Sequence, residues 1–221
     1  MSLALITLIV QVTLLAVMLA SLRQPTITGK ATGTSAYGSV AFFFIPANLT
    51  TCPALLNGWN LISVPSNTSN MNITTLLSGI NYRFVMRWNH SGQNFDIFSP
   101  LASSNPFTTF NINTSYFVLL NSSSATVSMS GDDVGDLNIS LGQGWNGPGY
   151  PYRFTSNITR YFNASVHRFL MEWNASNQTF LIYSPRMTTP AFTTIGQCQG
   201  QMLNSNAADI LRYNTTRLQE P

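Results

Sequence analysis

Asparagines in glycosylation sequons are the residues of this chain whose type and spacing most clearly predict chemistry. A sequon is Asn-x-Ser/Thr with x other than proline, and its side-chain amide can carry an N-linked glycan outside the cell. Chance would supply about five sequons at this content of Asn, Ser and Thr. The chain has twelve, at Asn48, Asn67, Asn72, Asn89, Asn113, Asn121, Asn138, Asn157, Asn163, Asn174, Asn177 and Asn214. We therefore predict a dense sugar coat; the alternative is a surface of uncharged polar residues that carries no glycan.

The two cysteines, Cys52 and Cys198, are the next residues with predictable chemistry. Outside the cell a disulfide between them is expected, although two separate thiols remain the alternative. Closing a loop of about 145 residues would stabilise the folded state by roughly 5 kcal/mol. With two cysteines and two histidines, no metal site is predicted.

Acidic residues cluster once, at Asp132, Asp133 and Asp136. Carboxylates of this kind could bind calcium, but aspartates among glycines also favour turns, and their spacing does not match an EF-hand loop. The sequence contains no Gly-x-Ser-x-Gly, His-Glu-x-x-His or phosphate-loop motif. We therefore predict no catalytic residues, no enzymatic activity and no cofactor other than covalent glycans.

Charged residues are scarce, at 8 % of the chain, while 44 % of residues are hydrophobic. Lys30 is the single lysine and there is no basic run, so a nucleic-acid partner is not expected. Bulky hydrated glycans could supply the solubility that charge supplies in other proteins.

Residues 2–22 form a stretch without charge, proline or glycine. A helix of about 21 residues is roughly 30 Å long, enough to cross a bilayer. Three interpretations remain open for residues 1–24: a secretory signal, a retained membrane anchor, or the hydrophobic helix of a pilin-type subunit that packs with its copies in a filament core. In the last case the chain binds other copies of itself through residues 1–24, and it lies in the membrane before or during assembly. All three place the rest of the chain outside the cell.

The chain also repeats itself with an offset of about 85 residues. RFVMRWNHSGQNFDIFSP at 83–100 returns as RFLMEWNASNQTFLIYSP at 168–185, and the GWN at 58–60 returns at 144–146. We predict one repeat unit at 52–134 and a second at 135–206. A linker with a first strand at 25–51 and a C-terminal tail at 207–221 complete the chain.

Alternation of large apolar residues within each unit predicts strands. Phe84, Met86 and Trp88 share one side of such a strand, and a turn with a sequon follows, which together indicate a hairpin. The fold class is therefore mainly β: an N-terminal hydrophobic α-helix followed by two small sandwich-like or barrel-like modules. The tryptophans recur at equivalent positions and are predicted to lie in the core, whereas Tyr150 and Tyr152 are predicted to be exposed in a loop.

The succession GWNLISVP, an aromatic strand pair, then SYFVLLN before a closing strand resembles a repeat of archaeal cell-surface and S-layer-associated glycoproteins. It covers residues 55–205, and the second unit departs from it where IGQCQGQMLNSN replaces TSYFVLL. The resemblance implies a role in surface architecture and brings no catalytic residues.

Two functions at the cell surface follow as expectations. The first is a glycosylated structural subunit of a filament or surface layer. The alternative is an anchored or secreted adhesin that binds carbohydrate through the loops of the β-units.

Overall fold

The computed structural model describes residues 49–215. The predicted N-terminal helix, the linker that follows it and Asn48 lie outside the described residues. The described strands are β1 Leu49–Thr51, β2 Leu55–Ile62, β3 Tyr82–Asn89, β4 Asn94–Phe98, β5 Tyr116–Ala125, β6 Ser128–Ser130, β7 Leu137–Leu141, β8 Gly144–Asn146, β9 Ser156–Asn157, β10 His167–Asn174, β11 Thr179–Tyr183, β12 Thr194–Ile195, β13 Met202–Ser205 and β14 Asp209–Tyr213. Two short helices accompany them, α1 at Ile73–Leu76 and a 3-10 turn at Ile158–Arg160.

The two repeats have the same topology. The first forms a four-stranded antiparallel sheet in the order β2-β5-β3-β4, and the second forms one in the order β8-β13-β10-β11. Each is accompanied by a smaller sheet, β1 with β6 in the first repeat and β7 with β14 in the second. The duplication seen in the sequence is therefore a duplication of structure, and the second repeat keeps all four strands despite its different sequence at 195–206.

Two boundaries differ from the sequence-based prediction. Residues 209–213, which we assigned to a C-terminal tail, form β14, where Leu211 and Tyr213 are each 1 % exposed in the second core. Residues 116–125 form one continuous strand, whereas the polar run of Asn121 and the serines after it is typical of a turn. In both cases pairing with a strand distant in sequence supplies the hydrogen bonds that local propensity does not indicate.

Each repeat has its own hydrophobic core. In the first, Val85, Tyr116 and Val118 are fully buried with Ile73 of α1; in the second, Leu170, Leu203 and Ile195 are fully buried with Tyr150. On β3, Val85 enters the first core while Met86 and Trp88 face the other way. The predicted alternation is confirmed for Met86 and Trp88, and both faces of β3 carry side chains packed in an apolar cluster.

A third apolar cluster, here called the seam, joins the two large sheets. Its buried members are Leu61, Phe117 and Met202, and half-buried aromatic residues of both repeats surround them. Phe117 of the first repeat contacts Trp173 of the second edge-to-face, with ring centroids 5.8 Å apart. The two repeats therefore form one body.

Trp88 and Trp173 occupy equivalent environments in the seam. The indole of Trp88 donates to the carbonyl of Trp145 at 2.7 Å, and the indole of Trp173 donates to the carbonyl of Trp59 at 2.8 Å. Each ring also lies 4.8 Å from a phenylalanine of its own hairpin. Their equivalence is as predicted, but the prediction that they lie in the core is wrong, because both are half-buried and belong to the seam rather than to the core of either repeat.

A glutamine in each hairpin loop binds the backbone of the opposite repeat. Oε1 of Gln178 accepts from the Trp59 N–H at 2.8 Å, and its Nε2 donates to the Trp59 carbonyl at 3.0 Å. Gln93 makes the same pair of bonds to Trp145, at 3.0 and 3.1 Å. We call this reciprocal arrangement the glutamine clamp. It explains why a GWN motif and a hairpin glutamine occur together in both repeats.

The glycine of each GWN motif is required by the clamp. Gly58 and Gly144 have φ of 90° and 93°, a region that residues with a side chain rarely adopt. A Cβ atom at either position would lie 2.7 Å from Oε1 of the clamping glutamine.

Replacing Gly58 with alanine should therefore destabilise the protein. Backbone strain and displacement of Gln178 should together cost about 1–3 kcal/mol. The measurement is urea unfolding of the full-length protein with the disulfide intact. The control is Gly135→Ala, because a Cβ at Gly135 has no atom within 4 Å. Equal loss of stability in the two variants would show that the clamp contributes nothing.

Candidate glycan-acceptor surface

The predicted acceptor asparagines lie at the surface of both repeats. Eleven of the twelve fall within residues 49–215, and none of these eleven is buried. Seven are exposed and Asn72, Asn89, Asn113 and Asn174 are partly exposed. The side chains are therefore positioned where a glycan could extend into solvent.

Asn72 and Asn157 cap the short helices at equivalent positions of the two repeats. The Oδ1 atom of Asn72 accepts from the N–H of Thr74 at 2.9 Å and from its hydroxyl at 2.6 Å. Asn157 makes the same contacts to Thr159, at 3.0 and 2.8 Å. This is helix N-capping, which engages the carbonyl oxygen of the side chain and not its amide nitrogen.

Asn89 and Asn174 begin the two hairpin loops and also match each other. Oδ1 of Asn89 accepts from the N–H groups of Ser91 and Gly92, both at 3.1 Å. Oδ1 of Asn174 accepts from the N–H groups of Ser176 and Asn177, at 3.0 and 3.1 Å. In the described part of the chain, the Nδ2 atoms of both asparagines donate to no protein group. These local turns therefore use the carbonyl oxygen of each side chain and leave the reactive nitrogen without a protein hydrogen bond.

The sequon of Asn113 has its hydroxyl committed inside the protein. Ser115 is 2 % exposed, donates through Oγ to the carbonyl of Pro148 at 2.6 Å, and accepts from the N–H of Gln201 at 2.9 Å. An enzyme acting on the folded chain could not reach this hydroxyl without opening the junction between the repeats.

The disulfide links the two repeats. Cys52 and Cys198 are bonded, with Cα atoms 5.5 Å apart and 146 positions between them in sequence. Near the bond, the N–H of Ser63 donates to the carbonyl of Cys198 and the N–H of Gly200 donates to the carbonyl of Leu61, at 2.9 and 3.1 Å. The covalent link thus reinforces a backbone pairing between repeats.

The acidic cluster is engaged in local contacts. Oδ1 of Asp136 accepts from the N–H and the hydroxyl of Thr215, both at 2.9 Å, and these bonds lower the pKa of its carboxyl. Asp133 lies 3.3 Å from the guanidinium of Arg153. Among residues 49–215, no group of three or more His, Cys, Asp or Glu side chains is arranged to hold a metal ion.

The prediction that Tyr150 and Tyr152 are exposed is wrong. They are 0 % and 3 % exposed, and their hydroxyls donate to the carbonyls of Phe154 and Tyr213 at 2.8 and 3.0 Å. Burial raises the pKa of both phenols, that of Tyr152 to about 12. The Pro-Gly-rich segment suggested a loop, but satisfied hydroxyls allow these rings to fill the second core.

Sequence reasoning missed a buried carboxyl in the second repeat. Glu172 is 7 % exposed, its Oε1 has no hydrogen-bond partner among the described residues, and burial raises its pKa to about 8. The equivalent residue of the first repeat is Arg87, which pairs with Asp96 at 3.0 Å and lies over the ring of Phe107. Comparison of the two repeats, in which Glu replaces Arg, was the signal that could have revealed it.

Comparison with protein-family models, with curated proteins and with solved structures gave no match. Within residues 49–215, no helix has the length and apolar character needed to span a membrane.

We expect site-by-site glycan occupancy to follow these geometries. Asn89 and Asn174 should be occupied to a similar extent, as should Asn72 and Asn157, whereas Asn113 should be unoccupied. Mass spectrometry of glycopeptides from the native protein measures this. Full occupancy of Asn113 would contradict the prediction, and so would an intact mass of 24.3 kDa with no added sugar.

Glu172→Gln should change the dependence of stability on pH. On folding, the pKa of the Glu172 carboxyl rises from 4.5 to about 8, because burial favours the neutral form. The stabilising contribution of this carboxyl is therefore complete below pH 4.5 and is lost as the pH rises to about 8. The loss amounts to about 1.4 kcal/mol for each pH unit in this window. The variant should therefore exceed the wild type in stability by an increasing margin between those pH values. Parallel curves of unfolding free energy against pH would contradict this.

Proposed function

We propose that this protein is an N-glycosylated extracellular structural protein, a subunit of an archaeal-type surface filament or surface layer. The observation that carries the proposal is the distribution of acceptor asparagines: eleven described sequons, none buried, on both repeats of one body. A sugar coat of that density would cover the protein on many sides and would suit an exposed architectural element.

Two further features support the extracellular setting. The Cys52–Cys198 disulfide fits an oxidising compartment. The scarcity of charge fits a protein whose solubility depends on glycans. The resemblance of the repeat to those of archaeal surface glycoproteins points in the same direction.

The apolar stretch at residues 2–22 supplies a means of assembly in this proposal. Exposing that many large apolar side chains to water would cost tens of kcal/mol, at about 1.5–3 kcal/mol each. Packing against copies of itself in a filament core would remove this cost. Gln11, its one strongly polar side chain apart from hydroxyls, would then need a partner on a neighbouring copy.

Electron microscopy and sedimentation of the native protein test the proposal. Wild type should form filaments or sheets, and Val10→Arg should not, because a charge within an apolar core is costly. Thr28→Arg adds the same charge outside the stretch and should assemble normally. Glycan mass and disulfide formation show that each variant was exported.

Two results would refute the structural role. One is a native wild-type protein that sediments as a monomer and begins between Thr26 and Ser35. The other is normal assembly by the Val10→Arg variant.

A further inference from the structure

Two neighbouring clefts open on the surface of the second repeat. The first, here called the arginine cleft, is lined by Arg168, Phe169, Ser184, Arg186 and Asn206, with buried His167 behind them. The second cleft contains Arg160, Asp209 and Arg212 and shares Ala164 with the first. His167 of the first cleft and Asp209 of the second are in contact, with Nε2 and Oδ2 3.2 Å apart.

Positive charge is concentrated at these clefts. Residues 49–215 contain seven arginines and no lysine, and four of the seven arginines line the two clefts. Arg87 and Arg153 elsewhere pair with aspartates. In the described part of the chain no carboxylate lies within 4.0 Å of the guanidinium of Arg168 or Arg186. Two guanidinium groups in one cleft therefore have unused hydrogen-bond donors.

The first repeat provides an internal comparison for the arginine cleft. Asn206 and Asn121 are equivalent, since their N–H groups donate to the carbonyls of Val166 and Asn81 at 2.8 and 2.9 Å. Ser-Pro-Arg at 184–186 replaces Ser-Pro-Leu at 99–101, so Arg186 corresponds to Leu101. At these equivalent positions the first repeat has one arginine, Arg83, whereas the second has two, Arg168 and Arg186.

The same comparison shows a difference in sequons. Asn121 is followed by two serines and begins a sequon, whereas Asn206 is followed by two alanines and does not. A sugar on Asn121 would cover the equivalent surface of the first repeat. The cleft in the second repeat carries more positive charge and is left open.

The chemistry of the cleft suits an acidic sugar. Guanidinium groups bind carboxylate and sulfate through paired hydrogen bonds. The ring of Phe169 is 42 % exposed beside them and offers a flat apolar surface for the face of a pyranose. The side chains of Ser184 and Asn206 supply further hydrogen-bonding groups for hydroxyls. A nucleic acid would need a longer basic track than this short cleft.

We infer that the arginine cleft binds an acidic saccharide, with Arg168 and Arg186 holding its carboxylate or sulfate and Phe169 supporting the sugar ring. This site goes beyond the proposed structural role. It rests on that role only for the source of the ligand, which would be a glycan of a neighbouring molecule in the surface layer.

Isothermal titration calorimetry on the dispersed full-length protein tests the inference. The probes are an oligogalacturonate, a sulfated oligosaccharide of equal length, a neutral oligosaccharide of equal length and inorganic sulfate. At least one acidic oligosaccharide should bind much more tightly than the neutral sugar and inorganic sulfate. The double variant Arg168→Gln/Arg186→Leu, which introduces the leucine of the first repeat, should lose at least about tenfold in affinity.

The matched control is Arg83→Gln, which removes one charge from the equivalent strand of the first repeat and should change affinity less than about twofold. Thermal unfolding confirms that the variants are folded. Absence of binding by both acidic oligosaccharides would overturn the inference. So would an equal loss in Arg83→Gln, which indicates general charge attraction, or equal binding of inorganic sulfate, which indicates a free-anion site. Since the assay uses dispersed protein, failure of assembly would leave its result unaffected.

Discussion

The glutamine clamp is the interaction on which the arrangement of the two repeats depends. Trp59 and Trp145 lie on edge strands of their sheets, where N–H and C=O groups pointing outward need partners. Gln178 and Gln93 satisfy these groups from the opposite repeat, and the indoles of Trp173 and Trp88 add a second donor to the same carbonyls. Neither repeat alone can complete this set of bonds, so each sheet edge is completed only by the other repeat.

The seam and the disulfide follow from this pairing. Once the clamp sets the two sheets in register, the aromatic residues of both pack around Phe117, and the backbone at 61–63 pairs with 198–200. That pairing brings Cys52 to Cys198 across 146 positions of sequence. Closing so long a loop lowers the entropy of the unfolded chain, which raises its free energy by about 5 kcal/mol in the simplest treatment. With the disulfide and the seam holding the two repeats together, the protein does not depend on ion pairs at its surface.

Local pattern and internal repetition were enough to predict the hairpins and the equivalence of Trp88 and Trp173, and the expected extracellular setting predicted the pairing of the two cysteines. The acceptor asparagines are defined by a three-residue motif, and their exposure is consistent with it. The clamp could not be predicted, because it joins Gln178 to Trp59 across 119 positions. The local sequence around a glutamine in a polar loop does not indicate which distant residue it binds. Tyr150 and β14 were misjudged because contacts with distant parts of the chain override local loop signals: the ring of Tyr150 packs against Tyr213, and β14 pairs with β7.

The two repeats have kept one backbone and diverged in their polar groups. Where the first repeat holds an Arg87–Asp96 pair, the second has Glu172 opposite Leu181, a carboxyl whose pKa is raised by burial to about 8. Where the first has a sequon at Asn121 and a leucine at 101, the second has Asn206 without a sequon and Arg186. Since the fold tolerates either set, stability of the sheet does not require these groups. Under the two proposals made above, the asymmetry reflects different uses of one surface, which a glycan on Asn121 would cover in the first repeat and which a ligand would meet in the second.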